Sequence, residues 1–350
     1  MNRYAVRHSD LLHWMEEHSF PRYRADQLWR GLFIERQPLE QISSLPTDLR
    51  GLIAESFPLA LRPLRCAASS DGTQKWLSEI MGAHQIETVL MPSKSRATVC
   101  ISTQAGCAMG CTFCATGQAG FERQLTSDEM LEQVMMASQH AAVPVTHVVL
   151  MGMGEPLANY SNVVELLHRL HDDLGMSARR LTVSTVGIVP AMKKLAHDAP
   201  PVTLAVSLHA ATDEARSTLI PLNRKYPIAA IIDAAREFSQ VRGRRVTFEY
   251  TAIAGVNDSD SDAHALGTLL ESFEGAGGAH VNLIPLNPTQ DFSGSPSGHA
   301  RLDAYVSILQ TYGVTATVRR ARGADIDAAC GQLRATNGLP RSKSSAANSR

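Results

Sequence analysis

The sequence has little of what a membrane or secreted protein would need. No apolar run approaches the ~18–20 residues required to cross a bilayer. Its opening stretch, Met1 to His8, carries neither an apolar run nor a small-residue cleavage site, so no secretory signal is expected. Cysteine is scarce, with six in 350 residues. That is too few for a disulfide scaffold and suits a reducing cytoplasm, where thiolates stay available as ligands. Net charge is also nearly absent, at -1, so the chain does not advertise a polyanion partner, although local basic patches can still exist. What remains is a chain with 44% apolar residues, expected to be soluble and globular. It is long enough for one large α/β domain and a small companion.

Against this background stands a loop with three cysteines, Cys107, Cys111 and Cys114, set among Gly and small residues from Ala105 to Gly117. Three soft thiolates suit three corners of a cubane 4Fe–4S cluster, which leaves the fourth iron without a protein ligand. That open iron is the starting point for radical chemistry on S-adenosylmethionine (SAM). Two other readings stand beside this one. Structural zinc usually takes four closed ligands, often as two paired knuckles. Here only half of such a site exists, with no second Cys/His pair at finger-like distance. A redox pair at Cys111 and Cys114 would leave Cys107 without a task.

Residues 1–63 read as small helices. Ala25, Leu28, Trp29, Leu32 and Phe33 recur at helical spacing over 22–34, and Pro46 opens a further helix through Leu49 and Ile53. A β-like piece follows over 73–90. Strands are then expected over 99–103, 148–152, 181–185, 202–208, 246–253, 280–285 and 314–319. Helical stretches separate them over 126–140, 163–174, 228–238, 264–273 and 302–312. Thr126 and Glu129 form a capping box at the start of the first of these helices. Repeated βα units at this spacing argue for a parallel sheet, either a barrel or an open sheet. The polar tail over 336–350 is expected to be disordered.

In parallel α/β barrels, chemistry gathers in the loops after the strand C-termini. The cysteine loop follows the first expected strand, and Gly152-Met153-Gly154-Glu155-Pro156 follows the second. Ser184 ends the third, Ser207-Leu208-His209 ends the fourth, and Asn287 follows the sixth. Taken singly, each is weak: the Gly-rich piece reads equally as a tight turn, and His209 as a satisfied half-buried histidine. Five polar marks at strand ends carry more weight together.

These residues resemble the radical SAM superfamily, and within it the RlmN/Cfr family of RNA adenosine methyltransferases. The resemblance runs over roughly residues 20–335. It rests on Tyr23 to Gln27, Asp71-Gly72-Thr73, Gly106-Cys107, Met151 to Pro156 and Ser184-Thr185. It continues through Ser207 to Ala210, Ile220 to Asn223, Asn282 to Pro285 and the run from Arg322 to Leu333, the most diagnostic block. The resemblance implies a partial (β/α)6-type radical SAM barrel of the α/β class. On that basis a helical RNA-binding accessory domain spans 1–63, a β extension 64–96 and the barrel core with its Cys330 loop 97–335. Cys107, Cys111 and Cys114 would hold the cluster; Gly154, Glu155, Ser184, Ser207, Leu208, His209 and Asn287 would hold SAM.

The resemblance also assigns the chemistry. Adenine C2 and C8 are not nucleophiles, so direct displacement on the SAM methyl does not work there. Cys330 takes a methyl group from one SAM, and a radical made from a second SAM abstracts a hydrogen from it. The methylene then adds to adenine, Glu87 accepts the ring proton, and Cys100 forms a transient disulfide with Cys330 to release product. On residues alone, Glu87 reads as an exposed strand carboxylate. Cys66 matches no motif and reads as a small buried hydrophobe. The expected substrates are 23S rRNA and tRNA, reached at an unstacked adenosine. A low-potential, flavodoxin-like electron donor and a cytoplasmic monomer are expected with them. Arg319, Arg320 and Arg322, and separately Arg242, Arg244 and Arg245, are candidates for phosphate contact. A C8-methylating resistance enzyme and a zinc-stabilised RNA-binding protein are the alternatives.

Overall fold

The computed structural model describes residues 1–273 and 277–334, so the tail expected to be disordered lies outside the described residues. Three helices come first: α1 (His8–Glu17), α2 (Tyr23–Trp29) and α3 (Thr47–Ser56). A π turn over Arg30–Ile34 extends α2. Ala25, Leu28, Leu32 and Phe33, the apolar face read from the sequence, are buried. Two buried charges join these helices to the rest. The Arg169 guanidinium donates to the carbonyls of Tyr4 and Val6, and Glu132 accepts the N–H groups of Ala60 and Leu61 at 2.9 Å each.

The piece read as one β-like stretch is a hairpin, preceded by a strand the sequence reading missed. β1 (Arg62–Ala68), β2 (Gln74–Ile80) and β3 (His84–Pro92) form an antiparallel meander. Gly82 and Ala83 make the β2–β3 turn, both in the left-handed region. Nearly every side chain of β1 is exposed, so no apolar alternation marks it. Cys66 lies on this edge strand and is exposed, not the buried hydrophobe expected.

β3 pairs antiparallel with β4 (Ala97–Cys100), and from β4 onward the sheet is parallel. The chain then forms β5 (Gln104–Gly106), α4 (Ala115–Ala119), β6 (Phe121–Gln124) and α5 (Ser127–His140). Next come β7 (Val145–Leu150), α6 (Tyr160–His168), β8 (Leu181–Thr185), α7 (Val189–Asp198) and β9 (Thr203–Ser207). The last elements are α8 (Asp213–Leu219), α9 (Ile228–Arg242), β10 (Thr247–Ala252), α10 (Asp260–Glu271), β11 (His280–Pro285), α11 (His299–Thr311) and β12 (Thr315–Val318). The sheet order is β1-β2-β3-β4-β7-β8-β9-β10-β11-β12. β4 and β7 through β12 are the seven strands expected from the sequence, some ending earlier. β4, for example, stops at Cys100, and Thr103 beyond it donates its N–H to the Met153 carbonyl at 2.8 Å. The predicted capping box is present: Thr126 Oγ1 accepts from the Glu129 N–H, and Glu129 Oε2 accepts from the Thr126 N–H at 3.0 Å.

Val148, Leu150, Val183, Leu204, Val206, Phe248, Val281 and Leu283 are fully buried or nearly so, and within a strand they stand two apart, so they belong to one packed face of the sheet. All seven parallel strands end on the same rim, so the loops after them face one another. No helix among the described residues is long and apolar enough to cross a membrane.

Candidate active site

A cleft of about 940 Å³, open to solvent, lies at that rim. Cys107, Cys111, Cys114, Gly154, Glu155, Ser184, Ser207, His209, Asn287 and Cys330 all line it. Ten of the residues singled out from the sequence therefore meet at one place, although they span more than two hundred positions. Leu208 is the exception among the expected SAM contacts: it is fully buried and absent from the lining, and its N–H donates to the Glu249 carbonyl at 3.0 Å.

The cysteine loop is built as an excursion from a small ribbon. β5 and β6 pair antiparallel, and the Cys107 N–H donates to the Gly120 carbonyl at 2.7 Å, closing the loop at its base. Gly106 makes this closure possible. Its φ is +73°, and a Cβ there would stand 2.0 Å from the Gly120 oxygen. At the far side, the Thr112 N–H donates to the Leu219 carbonyl at 3.0 Å. Burial and the neighbouring thiols push the Cys111 thiol well up, and burial pushes Cys107 to about 12. Such a set becomes three thiolates only beside a strongly positive group, as a cluster's iron provides. Among the described residues, no three His, Cys, Asp or Glu side chains are placed to hold a single metal ion; the three thiols stand around a cavity.

The neighbouring turn is equally constrained. Gly154, at φ +101°, passes so close to Gln104 that a Cβ would meet its side chain at 2.6 Å. Glu155 accepts the N–H groups of Leu157 at 3.0 Å and Val186 at 2.8 Å, which ties the end of β7 to the end of β8. Burial raises its carboxyl to about 7. His209 sits at a left-handed φ of 59° and its Nδ1 accepts the Thr251 N–H at 2.9 Å. Its proton is therefore on Nε2, and burial, pushing the pKa down to about 3, keeps it neutral. Behind this wall is a residue the sequence reading missed. Arg216 is fully buried and donates to the carbonyls of Leu208 (2.9 Å), Ser207 (3.0 Å) and Val186 (2.6 Å) and to Asn223 Oδ1 (2.9 Å). It holds the rim after β8 and β9 in register. Asn223, in the Ile220–Asn223 token, was the available signal.

The C-terminal segment folds across the opposite side of the cleft. The Arg322 guanidinium pairs with Asp71 at 2.9 Å, Asp325 accepts from Ser69 Oγ at 2.6 Å, and Lys75 Nζ donates to the Asp327 carbonyl at 2.9 Å. The segment then docks on the cluster loop, where the Ala115 N–H donates to the Gly331 carbonyl at 2.8 Å. Asn287 Nδ2 donates to the Cys330 carbonyl at 3.0 Å. Cys330 is consequently held over the cysteine loop. It also lines a second, smaller cavity, in which Cys100, Met151, Asn287 and Arg319 take part. Cys100, at the end of β4, is buried, and burial pushes its thiol up to about 12. Both cysteines are free thiols. Glu87 lines neither cavity. It is buried, where the sequence alone suggested exposure, with Lys75 Nζ at 2.8 Å and the Arg334 N–H donating to Oε2 at 2.8 Å. Burial raises its carboxyl and Lys75 lowers it.

The basic clusters divide. Arg319 points inward and pairs with Glu249 at 3.4 Å, while Arg322 is committed to Asp71. Of that cluster Arg320 is the exposed member. Arg242 donates to the Leu195 and Ala199 carbonyls, so it completes the end of α7.

The cleft gathers a three-cysteine cluster loop beneath a C-terminal cysteine, and comparison with known proteins agrees with it. Residues 101–266 match the radical SAM superfamily profile. The dual-specificity RNA methyltransferase RlmN 1 of Myxococcus xanthus is 46% identical over 91% of this chain and 89% of its own. The dual-specificity RNA methyltransferase RlmN of Desulfosudis oleivorans is 43% identical over 92% and 87% respectively. The chain belongs to the RlmN family. A solved radical SAM methyltransferase from Sphaerobacter thermophilus superposes with a TM-score of 0.89 at 44% identity, covering 96% of this chain and all of that one. The RlmN-family chain is thus a radical SAM RNA methyltransferase with the α/β radical SAM fold, working with a 4Fe–4S cluster and SAM. The zinc-stabilised RNA-binding alternative falls with that result.

The cluster loop offers a direct check. Gly106→Ala forces a Cβ into the Gly120 carbonyl and a disfavoured φ on the residue beside Cys107. Iron per chain after reconstitution is expected to fall by roughly half or more, with the far-ultraviolet circular dichroism unchanged. Full iron content in that variant would mean that the loop closure does not shape the cluster site.

Proposed function

We propose that this RlmN-family enzyme installs 2-methyladenosine in 23S rRNA, at the peptidyl-transferase centre, and in tRNA, at the adenosine 3′ of the anticodon. The methyl travels through Cys330. The observation that carries the reading is the position of Cys330 on the walls of two cavities, one holding the three cluster cysteines and the other holding Cys100.

Cys107, Cys111 and Cys114 would hold the cluster, and Gly154, Glu155, Ser184, Ser207, His209 and Asn287 would bind SAM, with Leu208 packed behind them rather than in contact. When bound, the cluster and SAM supply a hydrogen-abstracting radical. The residues of the chain do the rest. Cys330 sulfur accepts the methyl group of one SAM by displacement and, after hydrogen abstraction, carries the carbon that bonds to adenine. A carboxylate raised by burial is a competent proton acceptor, and Glu87 fits that task; the single electron given up as the ring regains its aromaticity would return to the bound cluster. Its bond to the Arg334 N–H keeps it against the segment that bears Cys330. Cys100 then attacks Cys330 sulfur, an S–S bond forms, and the S–CH₂ bond breaks with its electron pair left on the product carbon, which takes a proton.

Incubating the reconstituted enzyme anaerobically with SAM, a low-potential reductant and either unmodified rRNA or unmodified tRNA tests the substrate assignment. Both RNAs are expected to yield 2-methyladenosine on digestion to nucleosides. 8-Methyladenosine would overturn the C2 assignment, and modification of one RNA alone would overturn the dual one. Glu87→Gln is expected to slow product release by roughly 100-fold or more and to leave a protein–RNA adduct detectable on denaturing gels. Normal release by that variant would remove Glu87 from the reaction.

A further inference from the structure

Five residues line both cavities: Met151, Ile284, Asn287, Arg319 and Cys330. Of these only Arg319 is charged. The proposed reaction asks for negative charge at sulfur on each side of this wall, first on Cys330 toward SAM and later on Cys100 toward Cys330. Both sulfurs lie in surroundings that disfavour it, since desolvation raises both thiols while Arg319 acts in the opposite sense on each. The guanidinium is also fixed in place. Glu249, buried on β10, pairs with it at 3.4 Å. The other Glu249 oxygen accepts from Asn282 Nδ2 at 2.9 Å, and Asn282 Oδ1 accepts from Thr317 Oγ1 at 2.8 Å. The Arg319 backbone N–H donates to the Leu283 carbonyl at 2.8 Å. Side chains from β10, β11 and β12 thereby brace one cation between two cysteines.

We propose that Arg319, braced by Glu249, is the shared counter-ion for the two sulfurs, serving Cys330 in methyl transfer and Cys100 in resolution of the adduct. The assignment rests on the function proposed above. In the first step the Cys330 sulfur pair bonds to the SAM methyl, and S-adenosylhomocysteine leaves with the electrons of the broken S–CH₃ bond. In the second, the Cys100 pair forms the S–S bond as the S–CH₂ bond breaks. Each thiol first gives its proton to solvent; Arg319 neutralises the resulting thiolate in both steps and transfers no proton itself. It also departs from a role as an RNA phosphate contact, because its charge is turned inward to Glu249.

The test compares full-length wild type with Arg319→Met and Arg319→Lys in three measurements. The cluster-loaded proteins are given SAM without RNA, and methyl gain at Cys330 is followed by peptide mass spectrometry. The same cluster-loaded proteins, kept anaerobic, are treated with oxidised dithiothreitol, and closure of the Cys100–Cys330 disulfide is timed by non-reducing peptide mapping. RNA affinity is measured by filter binding. Arg319→Met is expected to slow both sulfur reactions by ~10-fold or more, with RNA affinity unchanged and Arg319→Lys recovering most of each rate. Either reaction at wild-type rate in Arg319→Met overturns the shared role. So does an Arg319→Lys protein as slow as Arg319→Met, or a loss confined to RNA affinity. Wild-type Cys330 gaining no methyl at all would instead fault the function on which the assignment rests.

Discussion

Cys330→Ala abolishes RNA methylation, by on the order of 10³-fold or more, and leaves iron content and visible absorption as in wild type. The two halves of that expectation have separate physical grounds. Adenine C2 has no lone pair with which to displace the SAM methyl, so without a sulfur carrier the carbon has no route to the ring. Cys330 meanwhile stands on the walls of two cavities, and the contacts that dock its segment are made by other groups, among them Asn287, Gln332, Lys75, Ser69 and Asp71. Removing one sulfur from such a position changes stability little. Nucleoside mass spectrometry and iron analysis on the same preparation check both halves. Methylated adenosine at a wild-type rate would remove Cys330 from the reaction.

Cys100→Ala has the opposite signature: the reaction starts and does not finish. Cys100 is buried at the end of β4 and shares a cavity wall with Cys330, which suits a group that meets only an intermediate already attached to the protein. Without it the S–CH₂ bond has no internal nucleophile to break it. Released product is expected to fall by roughly 100-fold or more while a covalent protein–RNA species accumulates, visible as a gel-shifted band that RNase trims. The loss of one sulfur from a packed site costs about 1 kcal/mol in stability, too little to explain such a band. Wild-type turnover without adduct would remove the resolving role from Cys100.

The parallel half of the fold was legible because each strand is a compact apolar run between helix signals, and because functional residues sit where those runs end. The cysteine loop, Gly154-Glu155, Ser184, Ser207, His209 and Asn287 could all be seen this way, and the cleft lining collects them. β1 could not: its side chains are almost all exposed, so no alternation marks it. The anchoring of the Cys330 segment by Asp71 and Ser69 was hidden by distance, some 250 positions along the chain. The tokens Asp71-Gly72-Thr73 and Arg322-Gly323 were visible, but not that they meet. Glu249 and Arg319 left a fainter trace. A carboxylate inside Phe248-Glu249-Tyr250-Thr251-Ala252, a run otherwise fit for burial, needs a partner, and the arginine assigned to RNA phosphates was that partner. Arg216 carried no signal of its own, since a lone arginine in a short helix reads as solvated.

The central claim is that the methyl reaches RNA through Cys330 rather than directly from SAM. Reaction of the reconstituted enzyme with SAM bearing a fully deuterated methyl group, followed by nucleoside mass spectrometry, addresses it most directly. Passage through Cys330 removes one deuterium and returns one hydrogen from water, so the 2-methyladenosine is expected to carry a CHD₂ group. A CD₃ group on the adenine would mean direct transfer and would contradict the account.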